Sequence, residues 1–263
     1  MDILKKYNTF KIIYKNTYHP IRFIFGFFSS KYFNINLVNN IVLKNGLKFY
    51  IYSWSDINHL VELMKGYYNM HNIGYKNIIL DVGANTGDFS VAISKKANKI
   101  YAIEPIKAVY DILLQNIKIN NLTNIHTYNL AISDKSGKQK MNLLKKQTST
   151  ANLSVTGNLT VNCISWSAFY KRIGAPKKID LLKLDIECGE YSLLNDSKIL
   201  NYIQEIRMEL HLRGSKNKIF LFLNLLKNYK FRLMNSSFDH LYAKIKDDIE
   251  NNPGNTYELI FSK

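Results

Sequence analysis

The run Ile78-Ile79-Leu80-Asp81-Val82-Gly83-Ala84-Asn85-Thr86-Gly87 constrains this chain most. It reads as an apolar strand that ends in an acid and enters a glycine turn, with a helix starting at Asp88-Phe89-Ser90-Val91-Ala92-Ile93. A buried strand needs only the apolar run. Gly83 and Gly87 are expected where a ligand comes close to backbone, because no Cβ blocks the way. The free N–H groups of the helix start face the same crevice, so the pattern has the form of a nucleotide-type cofactor site.

A second apolar run, Ile100-Tyr101-Ala102-Ile103, also ends in a carboxylate, Glu104, and Pro105 stops it from continuing as a central strand. Glu104 follows Gly83 by 21 positions (104 − 83), near the spacing at which a strand-end acid accepts both ribose hydroxyls. An NAD-type Gly-x-Gly-x-x-Gly beginning at Gly83 would need glycine at 85 and 88, where Asn85 and Asp88 stand. An acid at the helix start also repels a pyrophosphate. A cofactor with an adenosine ribose and no phosphates fits better, which points to S-adenosylmethionine, its methionine end over Asp81 to Gly87 and its ribose on Glu104.

Composition narrows the setting. At 263 residues and 46% hydrophobic content the chain can bury one full α/β core plus a small appendage. Cys163 and Cys188 are too few for a disulfide framework and lack metal-ligand spacing, so a reducing, cytoplasmic setting is expected. The net charge of +16 suggests an anionic partner, yet a lysine-rich compositional bias would give the same value.

The charge concentrates early. The first 48 residues carry eight Lys or Arg against Asp2 alone, a net +7. Within them, Ile21-Arg22-Phe23-Ile24-Phe25-Gly26-Phe27-Phe28 is apolar but far shorter than the roughly 20 residues a spanning helix needs. Bulky aromatics and a long polar lead argue against a signal peptide. Residues 1–40 therefore form a basic aromatic extension that either lies peripherally on an anionic membrane, at its inner face, or packs on the catalytic domain.

Residues 41–263 read as that domain. A hairpin is expected around Asn45-Gly46 in a two-residue turn, then a helix capped by Ser53 or Ser55 and running through Leu60 to Tyr68. This 41–75 segment precedes a core over 76–263 in which strand and helix patterns alternate, the signature of a sheet covered on both faces. Strands are predicted at 78–82, 99–104, 125–130, 180–185, 203–209, 230–234 and 257–262, with a helix over 216–228. Ser133-Asp134-Lys135-Ser136-Gly137 reads as a turn, and the polar stretch from Lys145 to Asn158 as a solvent loop or as an insertion covering the cofactor.

The second constellation lies in Leu181-Leu182-Lys183-Leu184-Asp185-Ile186-Glu187-Cys188-Gly189. Strand alternation would put Lys183, Asp185 and Glu187 on one side. Met208-Glu209-Leu210-His211 closes the next strand with Glu209 and His211 on one side. If the strands are neighbours, one sheet edge gathers Asp185, Glu187, Glu209 and His211 beside the glycine turn, where open α/β sheets bind ligands.

Together these pieces resemble the FkbM family of S-adenosylmethionine-dependent methyltransferases. Asp81-Val82-Gly83-Ala84-Asn85-Thr86-Gly87, Glu104-Pro105, Ala131-Ile132-Ser133-Asp134 and Leu182-Lys183-Leu184-Asp185-Ile186-Glu187 occur in family order. The resemblance implies a Rossmann-like class I fold with a seven-stranded, mostly parallel sheet, here with an N-terminal helical and hairpin extension. It implies a cofactor site at Asp81, Gly83, Ala84, Asn85, Thr86, Gly87, Glu104, Pro105, Ala131, Ser133 and Asp134, and O-methylation of a sugar, glycan or other secondary metabolite. Two departures stand out: Cys188 where the family has glycine, and Ser165-Trp166-Ser167 where it has a Thr-Leu-Asp-like helix start.

An alcohol acceptor must lose a proton, so Asp185, Glu187, Glu209 and His211, supported by Lys183, are the catalytic candidates. General-base chemistry is preferred to a metal, because the spacing matches no metal motif; the structural alternative is that Lys183 and Asp185 only pair to satisfy a strand end. His19, His59, His71, His126 and His240 read as surface or structural, Trp54 and Trp166 as packing. Tyr67, Tyr68 and Tyr75 read as core or as a pocket wall. The competing functions are an RNA or DNA methyltransferase, supported by the charge but disfavoured by the absence of an Asn/Asp-Pro-Pro-Tyr motif, and a non-enzymatic membrane- or nucleic-acid-binding Rossmann protein, disfavoured by the intact Asp81, Gly83 and Glu104.

Overall fold

The apolar runs assemble into one twisted sheet. The computed structural model describes residues 3–33, 40–51, 54–144, 147–153, 157–187, 189–212, 216–252 and 255–263. In chain order the elements are α1 (Ile3–Asn16), α2 (Pro20–Phe33), β1 (Asn40–Val42), β2 (Lys48–Tyr50), α3 (Trp54–Lys65), β3 (Lys76–Val82), α4 (Asp88–Ile93), β4 (Ala97–Ile103), α5 (Lys107–Ile119) and β5 (Ile125–Tyr128). Then come β6 (Ala131–Ser133), β7 (Gly137–Leu144), β8 (Gln147–Leu153), β9 (Leu159–Ser165), α6 (Trp166–Arg172), β10 (Ile179–Leu184), β11 (Ile203–His211), α7 (Lys216–Asn228), β12 (Arg232–Leu233), α8 (Phe238–Asn251) and β13 (Thr256–Ser262).

The main sheet has seven strands in the order β12-β13-β11-β10-β3-β4-β5. The five from β11 to β5 are parallel, and β13 runs against both its neighbours. Successive residues face opposite covered sides: Leu80, Leu182 and Ile103 enter one apolar core, and Ile79, Leu181 and Ala102 enter the other. This is why β10 is buried at every position and reads as a continuous apolar run interrupted only by charges with partners. Ser165 caps α6, its side chain accepting from the backbone N–H of Ala168.

Several expectations are corrected. Within the polar stretch read as a loop or covering insertion, Gln147–Leu153 is strand: β8 pairs with β7, β7 with β9, and β9 with β6, in a four-stranded layer. Its Thr, Ser and Asn residues hid the strand because little of it is apolar. The hairpin turns over Lys44-Asn45-Gly46, with Gly46 left-handed and Asn45 Oδ1 accepting from Leu47 N–H, rather than in two residues. The helix predicted through Tyr68 stops at Lys65, because left-handed Gly66 breaks it. Helix α8 follows β12 where no helix was expected. Ser53 and Cys188 lie outside the described residues.

Helices α1 and α2 pack through Ile13 and Phe23 into the same core as Ile57 and Leu60 of α3 and Phe89 of α4. Tyr14 of α1, Tyr18 between the helices, and Ile21 and Phe25 of α2 are exposed.

Gly83 has a different reason from the one its motif suggests. A Cβ there would lie 1.8 Å from the backbone O of Asp185, and at Gly87 a Cβ would lie 2.4 Å from Leu113 Cδ1; both residues have left-handed φ. Each glycine makes room for its own protein, the β10 loop in one case and α5 in the other. Gly83→Ala is expected to destabilise the fold by about 2–4 kcal/mol, the sum of overpacking and left-handed strain. Gly74→Ala, with nothing within 4 Å of its Cβ, serves as the near-neutral control in thermal melting.

Candidate active site

The strand order reverses between β3 and β10, and a cleft of about 300 Å³ opens at their carboxyl ends. Gly83, Asn85, Glu104, Pro105 and Ala131 line one side, Asp185, Glu187 and Glu209 another, and His59, Glu62, Tyr67 and Tyr68 form a wall.

Lys183 lines the cleft floor, in register with Asp81 on the neighbouring strand. Its Nζ donates to the Gly83 carbonyl at 2.6 Å and lies 3.4 Å from Asp81 Oδ1 and 3.7 Å from Asp185 Oδ2. Asp81 is fully buried and also accepts from Ser90 Oγ at 2.5 Å. Burial pushes the Asp81 carboxyl up in pKa, opposed by Lys183 and the Ser90 bond. Against its own burial, Lys183 is held above the usual lysine range by Asp81 and Asp185. Asp185 accepts from Tyr68 Oη at 2.9 Å. Its burial cost is outweighed by Lys183, His211 and that hydrogen bond, so its carboxyl stays below the usual range.

Tyr68 and Asn69 both carry positive φ, 55° and 49°. Arg207 of β11 holds that turn by donating to both their carbonyls and pairs with Glu205 at 2.6 Å. His211 is buried at the end of β11. Its Nδ1 lies 3.3 Å from Glu190 Oε1, and its Nε2 3.4 Å from Glu187 Oε2. Burial alone would lower its pKa, but Glu190, Glu187 and Asp185 carry it up to about 9.

Residues 81–247 of the chain match the Methyltransferase FkbM domain. The chain belongs to the FkbM methyltransferase family. Its donor is S-adenosylmethionine. An uncharacterised protein of Methanocaldococcus jannaschii is 39% identical over 49 residues, 19% of either chain, so the chain spans about a fifth of that curated relative. Among solved structures, TYW2 of M. jannaschii in complex with AdoMet is 14% identical over 87% of each chain, with a TM-score of 0.45. SMU.1697c of Streptococcus mutans in complex with SAH is 11% identical over 74% of this chain and 93% of that one, with a TM-score of 0.44. Trm5b of Pyrococcus abyssi is 12% identical over 75% of this chain and 49% of its own, with a TM-score of 0.40.

Within this FkbM domain the sequence-derived residues separate into those at the cleft and those behind it. Gly83, Asn85, Glu104, Pro105, Ala131, Lys183, Asp185, Glu187 and Glu209 line it. Asp81, Ala84, Thr86 and Gly87 are buried beneath it, and His211, expected at the same edge, is buried too and does not line it. Ser133 and Asp134 bond to each other and to Gln139 and Asn195, away from the lining. Strand geometry does not align Lys183, Asp185 and Glu187, because β10 ends at Leu184 and Glu187 takes a φ of 46°. They converge through the turn instead. His59, read as structural, faces the cleft and bonds Asn85 Nδ2 through Nδ1 at 2.9 Å. Arg207 and Glu190 carried no motif; their roles arise from contacts across the fold.

We propose that Glu104, at the cleft lining, accepts from the ribose hydroxyls of the donor. One carboxylate oxygen accepts from Asn85 N–H and the other from Ile106 N–H, which fixes the side chain at the cleft. Burial raises its pKa to about 7 despite these two bonds. Ribose hydroxyls donate to the ionised form, so binding should favour deprotonated Glu104. Calorimetry should show S-adenosylmethionine affinity rising from about pH 6 to about pH 8 in the wild type and nearly flat in Glu104→Gln. Glu104→Ala should weaken binding by about 1.5–3 kcal/mol. A pH dependence that persists in Glu104→Gln would assign the titration to another group.

Proposed function

We propose that this chain transfers the methyl group of S-adenosylmethionine to a hydroxyl oxygen of a sugar, glycan or other secondary metabolite. The observation that carries this reading is the sign of the cleft. Glu62, Asp88, Glu104, Asp185, Glu187 and Glu209 line it, against Lys183 as its one lysine or arginine among the described residues. A phosphate-rich acceptor such as RNA is repelled by such a lining at the reacting end, whereas a neutral polyol donates hydrogen bonds to it.

Bound S-adenosylmethionine supplies a methyl on a sulfonium, so the leaving group is a neutral thioether. Positioning then dominates what the protein must do. Asp185 is fixed by Tyr68 and Lys183 and cannot swing away, which suits it to accept a hydrogen bond from the acceptor hydroxyl. Glu187 and Glu209 extend the same edge, with His211 buried against Glu187 and outside the lining. Isotope-labelled S-adenosylmethionine incubated with the full chain and cell fractions should deposit label in glycan or lipid hydroxyls. Asp185→Asn and Glu209→Gln should lower turnover at least about 100-fold, the scale of a lost acid–base group, while donor affinity changes by less than about 0.5 kcal/mol. Label appearing in RNA instead would favour the nucleic-acid acceptor.

The exposed row Tyr14, Tyr18, Ile21 and Phe25, beside exposed Lys11, Lys15 and Arg22, supports peripheral contact with an anionic membrane. No helix among the described residues is long and apolar enough to cross one. Co-sedimentation with phosphatidylserine vesicles should fall steeply with salt and with Ile21→Asp/Phe25→Asp. Binding that ignores both changes would leave α1 and α2 as packing elements only.

A further inference from the structure

We infer that Asp185, Glu209 and His211 form a divalent-cation site at the acceptor end of the cleft, of the carboxylate-rich kind that Mn2+ fills. The inference rests on the acceptor reading above and adds to it the agent that activates the hydroxyl.

The first observation is geometric. One ligand atom from each of the three residues lies within 4.8 Å of the others. Donors about 2.1 Å from a common ion stand roughly 3–4.2 Å apart, so a modest side-chain adjustment closes the shell. The residues come from two neighbouring strand ends, Asp185 just after β10 and Glu209 and His211 at alternate positions of β11. Two carboxylates and an imidazole suit Mn2+ and its neighbours better than a thiolate-seeking ion.

The second observation is independent of the cluster's acidity. His211 is a buried imidazole whose Nδ1 faces the fully buried Glu190, which also accepts from the His211 backbone N–H at 2.9 Å. A carboxylate behind a histidine fixes the ring and raises its ligand strength, which is the usual outer shell of a metal-bound imidazole. Glu190 Oε1 is taken up by His211, and its Oε2 has no hydrogen-bond partner among the described residues. The opposite ring nitrogen, Nε2, points toward Glu187. Behind Asp185, Tyr68 and Lys183 play a similar orienting part.

A cation here solves a chemical problem the residues leave open. A carboxylate is a weak base toward a sugar hydroxyl. Binding of that oxygen to a divalent ion lowers its pKa, after which its proton passes to a neighbouring carboxylate and then to solvent. The oxygen forms its bond to the methyl carbon as the carbon–sulfur bond breaks, and that electron pair leaves on the thioether sulfur. Open positions on the ion would take two adjacent oxygens, so the favoured acceptor is a vicinal diol or a hydroxy-acid.

The test is Mn2+ binding to chelator-stripped full-length protein, followed by loss of the free-ion electron paramagnetic resonance signal. The wild type should bind one equivalent, and His211→Gln and Glu209→Gln should each weaken binding at least tenfold. Because His211 is buried, the partly exposed Glu209→Gln decides the matter if His211→Gln fails to fold. Calorimetry with S-adenosylmethionine on the same samples reports the donor site separately, so its failure would count against the methyltransferase reading and not against the cation. Wild-type protein that binds no Mn2+ below about 1 mM, or that binds it equally well after Glu209→Gln, overturns the proposal.

Discussion

The buried ammonium of Lys183 is the contact on which the site depends. It bridges Asp81 of β3, the Gly83 carbonyl and Asp185, the first residue beyond β10. A lone charge at this depth would be prohibitive, but one cation between two carboxylates and a carbonyl is compensated. The same contact ties the glycine turn after β3 to the chain leaving β10, at the point where the strand order reverses. Removing Asp81 would leave the Lys183 ammonium without its fully buried counter-charge, so these two residues act as a unit, while Asp185 is the part-exposed member.

From that centre the packing explains the glycine turn. The chain after Asp185 passes so close to Gly83 that any side chain there would strike the Asp185 carbonyl. The turn is therefore shaped by the neighbouring strand first, and the cleft above it follows. Glu104 belongs to the same layer, its carboxylate held by Asn85 and Ile106 N–H groups, with Asn85 itself left-handed at φ 50°. The Glu104 carboxylate is thus held in one orientation at the cleft by two backbone N–H groups.

Much of this was legible in the chain. All seven main-sheet strands were read within a few residues, since buried parallel strands such as Ile179–Leu184 announce themselves by apolar runs. Asp185, Glu187, Glu209 and His211 were legible as a group because charges at strand ends demand an explanation. What was hidden depends on long-range contact. The β7–β8 pairing carries little apolar periodicity. Left-handed Tyr68 and Asn69 look ordinary in sequence until Arg207, 139 and 138 positions away, is seen to hold their carbonyls. Glu190 becomes notable only when His211 is placed on it.

The cleft also crosses the division drawn from sequence between a 41–75 segment and a 76–263 core. His59, Glu62, Tyr67 and Tyr68 supply one wall, and all four precede the FkbM match that begins at residue 81. That wall is anchored at both ends. α3 packs against α1, α2 and α4 through Ile57 and Leu60, and the turn after it is clamped by Arg207. The N-terminal helices thus have a structural consequence apart from any surface they meet, because they brace the helix that carries His59 and Glu62. The cleft between this wall and the Asp185–Glu209 edge is therefore shaped by residues outside the family match as much as by those within it.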